Sequence, residues 1–385
     1  MTLAESCLLI VDCPHTTARD EGAGYPLVRT PNVGFGRLVC DGMHRVSEEV
    51  YNCRNKRAVP SPGDLIYARE APAGNVAVIE PGEKVCLGQR TVLLRPNPCI
   101  VDSYYLAYYL LSPEHRNELV GQASGATVLH VNLADIRSLK VSFPKIDVQR
   151  RIVAVINDYY SAIDNARRQI ALLEEAAMRL YREWFVVNAD PKWEKGAVRK
   201  WFEVTIGRTP PRKIAANFSE VETDQKWCSI KDLQNSSIFI SETAERLTKL
   251  GVDSSKIHIS PPGTVFLSFK LTVGKVAITL EPMATNEAIA HFETTNRALR
   301  DYTYCYLHEF QYDTLGSTSS IGKAINSEIV RDMPFVMPDP KTTARFSETV
   351  SPIFDQIQNC VISIRALTEA RNRLLPKLMS GEVEV

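Results

Sequence analysis

No run of about 18 apolar residues occurs anywhere in the chain, so no membrane-crossing helix is expected. The opening residues, MTLAESCLLIVDCPH, place an acidic residue and no basic one before a short apolar stretch. A secretory leader is therefore not expected. Paired cysteines are missing too. The nine (Cys7, Cys13, Cys40, Cys53, Cys86, Cys99, Cys228, Cys305 and Cys360) are odd in number, scattered, and form no CxxC. They read as reduced thiols of a cytoplasmic protein. Excess charge of either sign is lacking: 45 Lys+Arg balance 45 Asp+Glu, and residues 1–143 and 188–338 are each neutral to within one charge. That excludes a basic nucleic-acid coat and weakens any nonspecific pull on phosphates. What remains is 385 residues, 44% hydrophobic and 23% charged, enough for two or three globular domains and too apolar for a disordered chain.

Catalytic signatures are equally scarce. There is no GxxxxGK[ST] loop to cradle a nucleotide, and Gly34–Gly36 lacks the third glycine and preceding strand of a dinucleotide site. Asn97-Pro98-Cys99-Ile100 lacks the second proline and the aromatic that hold a flipped base in amino-methyltransferases, and reads as a turn. Cys13, His15, Cys40 and His44 are spaced unlike a structural zinc module. Pro338-Asp339-Pro340-Lys341 has a nuclease flavour, but Asp before Pro is what caps a helix start. These absences describe a binder and organiser.

The chain repeats itself. Residues 62–78 read PGDLIYAREAPAGNVAV and residues 262–278 read PGTVFLSFKLTVGKVAI, so Pro62, Gly63, Gly74, Val76 and Ala77 recur 200 residues later. Tyr105, Tyr109 and Leu110 meet Tyr302, Tyr306 and Leu307; Asn132, Ile136, Leu139 and Pro144 meet Asn326, Val330, Met333 and Pro338. Matches in one order with slowly drifting offsets indicate two homologous halves. Each begins with about 140 residues of short apolar runs broken by Gly and Pro, which predict strands, turns and short helices.

Each half ends in a long helix. Ile152, Ile156, Tyr159, Ile163, Ala166, Ile170, Leu173, Ala177, Leu180 and Trp184 are spaced 4-3-4-3 without a slip. Their counterparts are Phe346, Val350, Ile353, Ile357, Cys360, Ile364, Leu367, Arg371, Leu374 and Leu378, all apolar but Arg371. Five heptads with apolar a and d positions predict a coiled-coil seam. An amphipathic helix lying on a domain core would instead want a wider stripe of period 3.6. Residues 148–185 would span roughly 57 Å at about 1.5 Å per residue, too long for one small domain to cover, so the two helices are expected to pair antiparallel. Pro352 and Pro376 should kink or fray the second.

This layout resembles the specificity subunit of type I restriction–modification systems along essentially the whole chain. The stretches that carry the resemblance are DCPHTT (12–17), PLVRTPNVGFGRL (26–38), PGDLIYAREAPAGNVAV (62–78), CLGQRTVLLRP (86–96) and RRQIALLEEAAMRLYREWF (167–185). The second half adds IGRTPP (206–211), KWCSIKDL (226–233), INSEIVRDMPFVMP (325–338) and SPIFDQI (351–357). The resemblance implies an α+β architecture. Two homologous target-recognition domains, each a twisted mixed sheet with short helices, would be separated by two long helices packed as an antiparallel coiled coil with pseudo-two-fold symmetry. Domain 1 would span residues 1–143, the central helix 144–187, domain 2 188–338 and the C-terminal helix 339–385. Each domain would read one half of a bipartite, asymmetric site in double-stranded DNA. The helices would set the spacer and dock two DNA adenine methyltransferase subunits, joined in restricting systems by two restriction subunits. S-adenosylmethionine, ATP and magnesium would sit in those partners, and the chain itself would hold no cofactor, metal or catalytic residue.

Phosphate contacts favour Arg, Lys and small hydroxyls on loops; base contacts favour Arg, Asn and Gln. In the first half these criteria select Arg29, Thr30, Asn32, Arg37, Arg69, Gln89 and Arg90, with Arg54, Lys56 and Arg57 on the DNA backbone. In the second they select Arg208, Thr209, Arg212, Lys213, Lys231, Lys270, Thr272, Asn286 and Lys323. Residues that differ at matching positions are expected to distinguish the half-sites: Arg69 and Glu70 face Phe269 and Lys270, and Gln89–Arg90 face Asn286–Glu287. Two other readings compete, a coiled-coil scaffold that binds only proteins and a self-sufficient DNA methyltransferase or nuclease.

Overall fold

The LIYA run that opens the repeat is a strand, Leu65–Ala68, with all four residues buried. A hairpin returns the chain as Val76–Val78, pairing Leu65 with Val78 and Tyr67 with Val76. Thr91–Pro96 lies antiparallel on the other side of Leu65–Ala68, and Cys7–Asp12 lies outside it. Phe35–Gly36 closes the five-stranded sheet, parallel to Val76–Val78. The inner strands Leu65–Ala68 and Val76–Val78 are apolar throughout because both faces are covered, whereas the edge strand Cys7–Asp12 exposes Leu8 and ends in a charge. Leu65, Tyr67, Val76, Val78, Val92 and Leu94 pack on one face with the helix Ser103–Leu111. Ile66, Ala68, Ala77 and Leu93 pack on the other against Val28 and Leu87 of a three-stranded sheet.

The computed structural model describes residues 1–121, 129–315 and 325–385. It divides into two units, Met1–Ala162 with Leu367–Val385, and Ile163–Ala366. The second unit repeats the plan of the first. Its sheet runs in the order Thr205–Ile206, Ile289–Phe292, Val265–Ser268, Val276–Thr279, Phe239–Ile240. Val265 pairs with Ile278 and Leu267 with Val276, the register of the first hairpin moved by 200 residues. Gly74 and Gly274 hold the two hairpin loops at φ +84° and +87°, where a side chain is strained. A Cβ on either would also press on a neighbour, Arg116 or Tyr312. All nine cysteines are free thiols, and no helix among the described residues is long and apolar enough to cross a membrane.

The two long helices run over Ile146–Arg182, extended by one wide π turn through Val187, and over Pro340–Ser380. In the first unit, Ile152, Ile156 and Tyr160 share a core with Leu375 and Leu378, and the Arg371 guanidinium lies 4.7 Å over the Tyr160 ring. That stacking explains the one polar residue in the second heptad series. In the second unit, the Cys360 thiol donates to Gln169 Oε1 at 3.4 Å, Arg345 lies over Trp184, and Phe185 meets Phe346 at 4.9 Å. Residue numbers rise along one helix as they fall along the other, so the pairing is antiparallel.

Two expectations change. The buried stripe is wider than a coiled-coil seam. Val153, Tyr160, Met178, Tyr181, Phe185, Phe354 and Leu375 are buried as well, whereas the seam residues Leu173, Leu180, Trp184, Ile353, Ile364, Leu367 and Leu374 are only partly covered. Each helix packs against its partner and also on the sheet and helices of a unit, which need a broader face. The prolines do not interrupt the second helix, which continues from Pro340 to Ser380. Pro352 lies on the exposed side, where water can satisfy the carbonyl that its missing N–H leaves free.

Two consequences are measurable. Phe354, fully buried against Phe239 and Tyr304, should cost about 3–5 kcal/mol when changed to Ala. The partly buried seam residue Ile353 should cost clearly less, and urea unfolding of both variants ranks them. His291 is buried in the central sheet of the second unit, its ring held between the Thr205 and Thr285 hydroxyls at 2.9 and 2.6 Å. Burial, aided by nearby His258, pushes its pKa down to about 3. The folded chain therefore refuses a proton that the unfolded chain accepts near pH 6.5. The stability this supplies is full above about pH 6.5 and is lost as pH falls towards 3. Melting temperatures should drop more steeply on acidification for the wild type than for His291→Gln.

Candidate nucleic-acid interface

In the first unit, loops that leave the ends of three strands bring charged residues into one chain of contacts. Arg69, in the hairpin loop, donates through Nη1 to Asp12 at 3.1 Å, through Nε to the Val131 carbonyl at 2.8 Å, and through Nη2 to His130 Nε2 at 2.6 Å. His130 Nε2 accepts that bond, so the ring proton sits on Nδ1 and is donated to Glu70 at 2.5 Å. Glu70 in turn pairs with Arg90 at 2.6 Å, and Asp12 with His15 at 3.1 Å. Burial divides this network into layers. Asp12, Arg69 and Glu70 are largely covered, while the Arg90 side chain is 53% exposed and that of His15 is 70% exposed. The covered residues hold the exposed ones in place.

Arg90 has φ +66°, a left-handed conformation that costs a non-glycine residue roughly 1–2 kcal/mol. Its carbonyl is tied to the Arg69 N–H at 3.0 Å, and Glu70 holds its guanidinium. Next to it, Gln89 accepts from the Thr17 hydroxyl at 2.9 Å and donates to the His15 carbonyl. The predicted residues Arg69, Gln89 and Arg90 thus meet residues of the DCPHTT motif.

Other predicted residues stand apart or serve the fold. Arg54 is corrected from DNA contact to structure. It is buried and donates to the carbonyls of Leu87, Thr16 and Pro14, which leaves no face for a phosphate. Asn32 is likewise structural, its amide donating to the Val39 carbonyl while its oxygen accepts from the Arg29 N–H, and Thr30 is buried beside it. Arg29 reaches the Gly42 carbonyl, Arg37 lies over the Tyr160 ring, and Lys56 is exposed. Arg57, also exposed, donates through Nη1 to the Asp12 carbonyl at 3.1 Å and so borders the network.

In the second unit the corresponding loops carry different chemistry. Thr209 donates its hydroxyl to Glu287. Burial alone would raise the Glu287 pKa, but that bond, with Lys270 and Arg212 near, holds it below the ordinary carboxylate value. Arg212 forms a two-pronged pair with Glu245 and lies 4.5 Å over Phe218 and 4.8 Å over Trp227. Lys270 rests over Phe269, Thr272 accepts from Gln234 at 2.7 Å, and Asn286 accepts from the Ala288 N–H. Arg208, Lys213 and Lys231 are exposed. Lys323 lies outside the described residues.

Strand register corrects one correspondence. Arg69 N donates to the Arg90 carbonyl as Phe269 N donates to that of Ala288. Gln89 therefore faces Glu287 and Arg90 faces Ala288, one residue away from the sequence match. The offset falls from 200 in the hairpin to 198 in the next strand. By the same pairing Asp12 corresponds to Ile206. Asp12, Arg69, Glu70 and Arg90 in one unit thus become Ile206, Phe269, Lys270 and Ala288 in the other.

Sequence reasoning missed His130, which reaches Glu70 from sixty positions away with no local motif, and the supporting roles of Asp12 and His15. It also missed a groove of about 930 Å³ in the second unit, lined by Arg199, Lys200, Arg208, Lys256, His258 and Arg331 among others. Three of those cations are neutralised, Arg199 by Glu328 and Asp332, Lys200 by Glu194 and Arg331 by Glu328. Among the described residues, the metal-binding geometry that occurs is His258, His291 and Glu293. The two Thr hydroxyls already occupy both nitrogens of His291. Asp339 accepts from the Thr342 N–H at the start of the C-terminal helix, the capping role its flanking prolines suggested.

Residues 12–175 match the family model of the type I restriction modification DNA specificity domain. The MjaIX type I restriction enzyme specificity subunit of Methanocaldococcus jannaschii is 24% identical, across 89% of this chain and 83% of its own. The HindI specificity subunit of Haemophilus influenzae is 20% identical, across 85% of this chain and 88% of its own. The S subunit of a type I restriction–modification system from M. genitalium is similar in structure with a TM-score of 0.52 at 14% identity, covering 98% of this chain and 95% of that one, which shows a shared fold. With its repeated units and paired long helices, this chain is similar over most of its length to the specificity subunits of type I restriction–modification systems.

Proposed function

We propose that the chain is the non-catalytic reader of a bipartite, asymmetric DNA site, and that its long helices dock two adenine methyltransferase subunits. The observation that carries this reading is the contrast between equivalent loops. One scaffold appears twice with the same strand order and register, yet the positions at the strand ends carry Asp, Arg, Glu and Arg in one unit and Ile, Phe, Lys and Ala in the other. Most of these positions are covered, but they set which side chain the loops present outward, Arg90 in one unit and Lys270 in the other. A repeated scaffold with different outward groups is suited to recognising two different sequences. Uniform charge neutrality fits a chain that binds DNA weakly alone and relies on partners for electrostatic grip. Methylation with S-adenosylmethionine, and cleavage with ATP and magnesium where restriction subunits join, belong to those partners in the cytoplasm.

Selection from a random duplex pool, with and without the methyltransferase subunits, tests the proposal. Enrichment of two short motifs at a fixed separation is expected with the subunits present. Its absence supports a protein-only scaffold, and methyl transfer by the chain alone supports a self-sufficient enzyme. Within the first unit, Arg90→Ala should reduce discrimination against single-base changes in one half-site by about 1–3 kcal/mol and leave the other unaffected. Competition binding against single-base variants of the selected duplex checks this.

A further inference from the structure

The hairpin tip of the second unit carries a side chain that folding does not explain. Leu271 is 96% exposed, more than any other large apolar residue of the described chain. It also sits at φ +60°, where leucine is strained and glycine is not. Both features oppose stability, so the fold would be better served by another residue. The tip is nevertheless held firmly. Ser268 donates its hydroxyl to the Thr272 carbonyl at 2.6 Å and accepts from the Lys275 N–H at 3.0 Å. Gln234 bonds Thr272, and Phe269 is buried beneath. Exposed Lys270 and Lys275 flank the tip, and partly exposed Val273 stands two residues on. The tip adjoins the candidate reading loop, because the Phe269 N–H bonds the Ala288 carbonyl.

An apolar tip, rigid and flanked by cations, suits a polyanion with an apolar interior. Proteins that kink DNA insert Leu, Ile, Met, Phe or Pro between base steps while cations hold the adjoining phosphates. We propose that Leu271 is a wedge that enters the base stack at the half-site read by the second unit, with Lys270 and Lys275 on the flanking phosphates. This rests on the DNA-reading function proposed above and adds a physical distortion to it. The first unit lacks the device: its equivalent tip is Ala71-Pro72-Ala73. Distortion should therefore be confined to one half of the site.

The test uses the full chain with its methyltransferase subunits and the selected duplex, with 2-aminopurine placed at successive positions. Unstacking raises the fluorescence of this base. The wild type should raise it several-fold at one step of the second half-site and nowhere in the first. Leu271→Gly relieves the backbone strain, so its melting temperature should equal or exceed that of the wild type. It should nonetheless abolish the fluorescence rise and weaken duplex binding about tenfold, while Leu271→Met keeps both. A selected motif bound by the wild type with no fluorescence rise, or a rise that survives in Leu271→Gly, overturns the wedge and leaves the reader intact. If Leu271→Gly instead loses only its methyltransferase subunits, the tip is a protein contact and the wedge is wrong. Failure to select any motif removes reader and wedge together.

Discussion

Both units depend on the apolar stripes of two long helices, because neither helix has another place to bury them. A strict heptad seam would satisfy one partner helix only. Here Ile152, Ile156 and Tyr160 join Leu375 and Leu378 in the core of one unit, and Ala166, Ile170, Tyr181 and Phe185 join Phe346, Val350, Phe354 and Ile357 in that of the other. The chain thus cannot form either core without bringing together segments more than 150 residues apart. That demand explains why a repeat of 200 residues retains the same helix-forming pattern twice, and why the stripe is broader than a coiled coil alone requires.

On this foundation the sheets act as rigid holders for loops. Strands such as Leu65–Ala68 and Val265–Ser268 are buried on both faces, so their registers are fixed and their ends are well defined. Loops leaving those ends can change composition without disturbing the core. The unit-one network shows the layering this permits: Arg69 and Glu70 are covered and hydrogen-bonded, and their role is to hold Arg90 outward. A buried guanidinium with few free donors is poorly placed to read a base, whereas an exposed one with a fixed backbone is well placed. Arg54 is the limiting case, a buried cation whose three guanidinium nitrogens each donate to a carbonyl inside the fold.

Local sequence carried much of this. The 200-residue repeat, the LIYA and VFLSF strands, the hairpin glycines and the two helices were legible because period, turn residues and apolar runs act over a few residues. Asp339 as a helix cap was legible for the same reason. The wide buried stripe was not, because heptad counting sees one partner surface and Phe354 belongs to another. The pairing of Arg90 with Ala288 was hidden by a two-residue drift in offset that only strand register reveals. Most candidate DNA contacts were chosen by residue type alone, a criterion that cannot separate Arg90 from Arg54.

The sequence by itself determined two homologous halves, their long helices, and the absence of nucleotide-binding and metal motifs of recognisable spacing, since these are properties of short-range pattern. Only the tertiary structure decided which polar residues meet. His130 reaches Glu70, Asp12 reaches Arg69 and Ser268 fastens the Leu271 tip through folded loops, and nothing in linear spacing encodes those approaches. The evenly balanced charge is fixed by composition. Which of those charges are covered is fixed by burial, which turns Arg54 and Arg69 into struts and leaves most other cations facing outward.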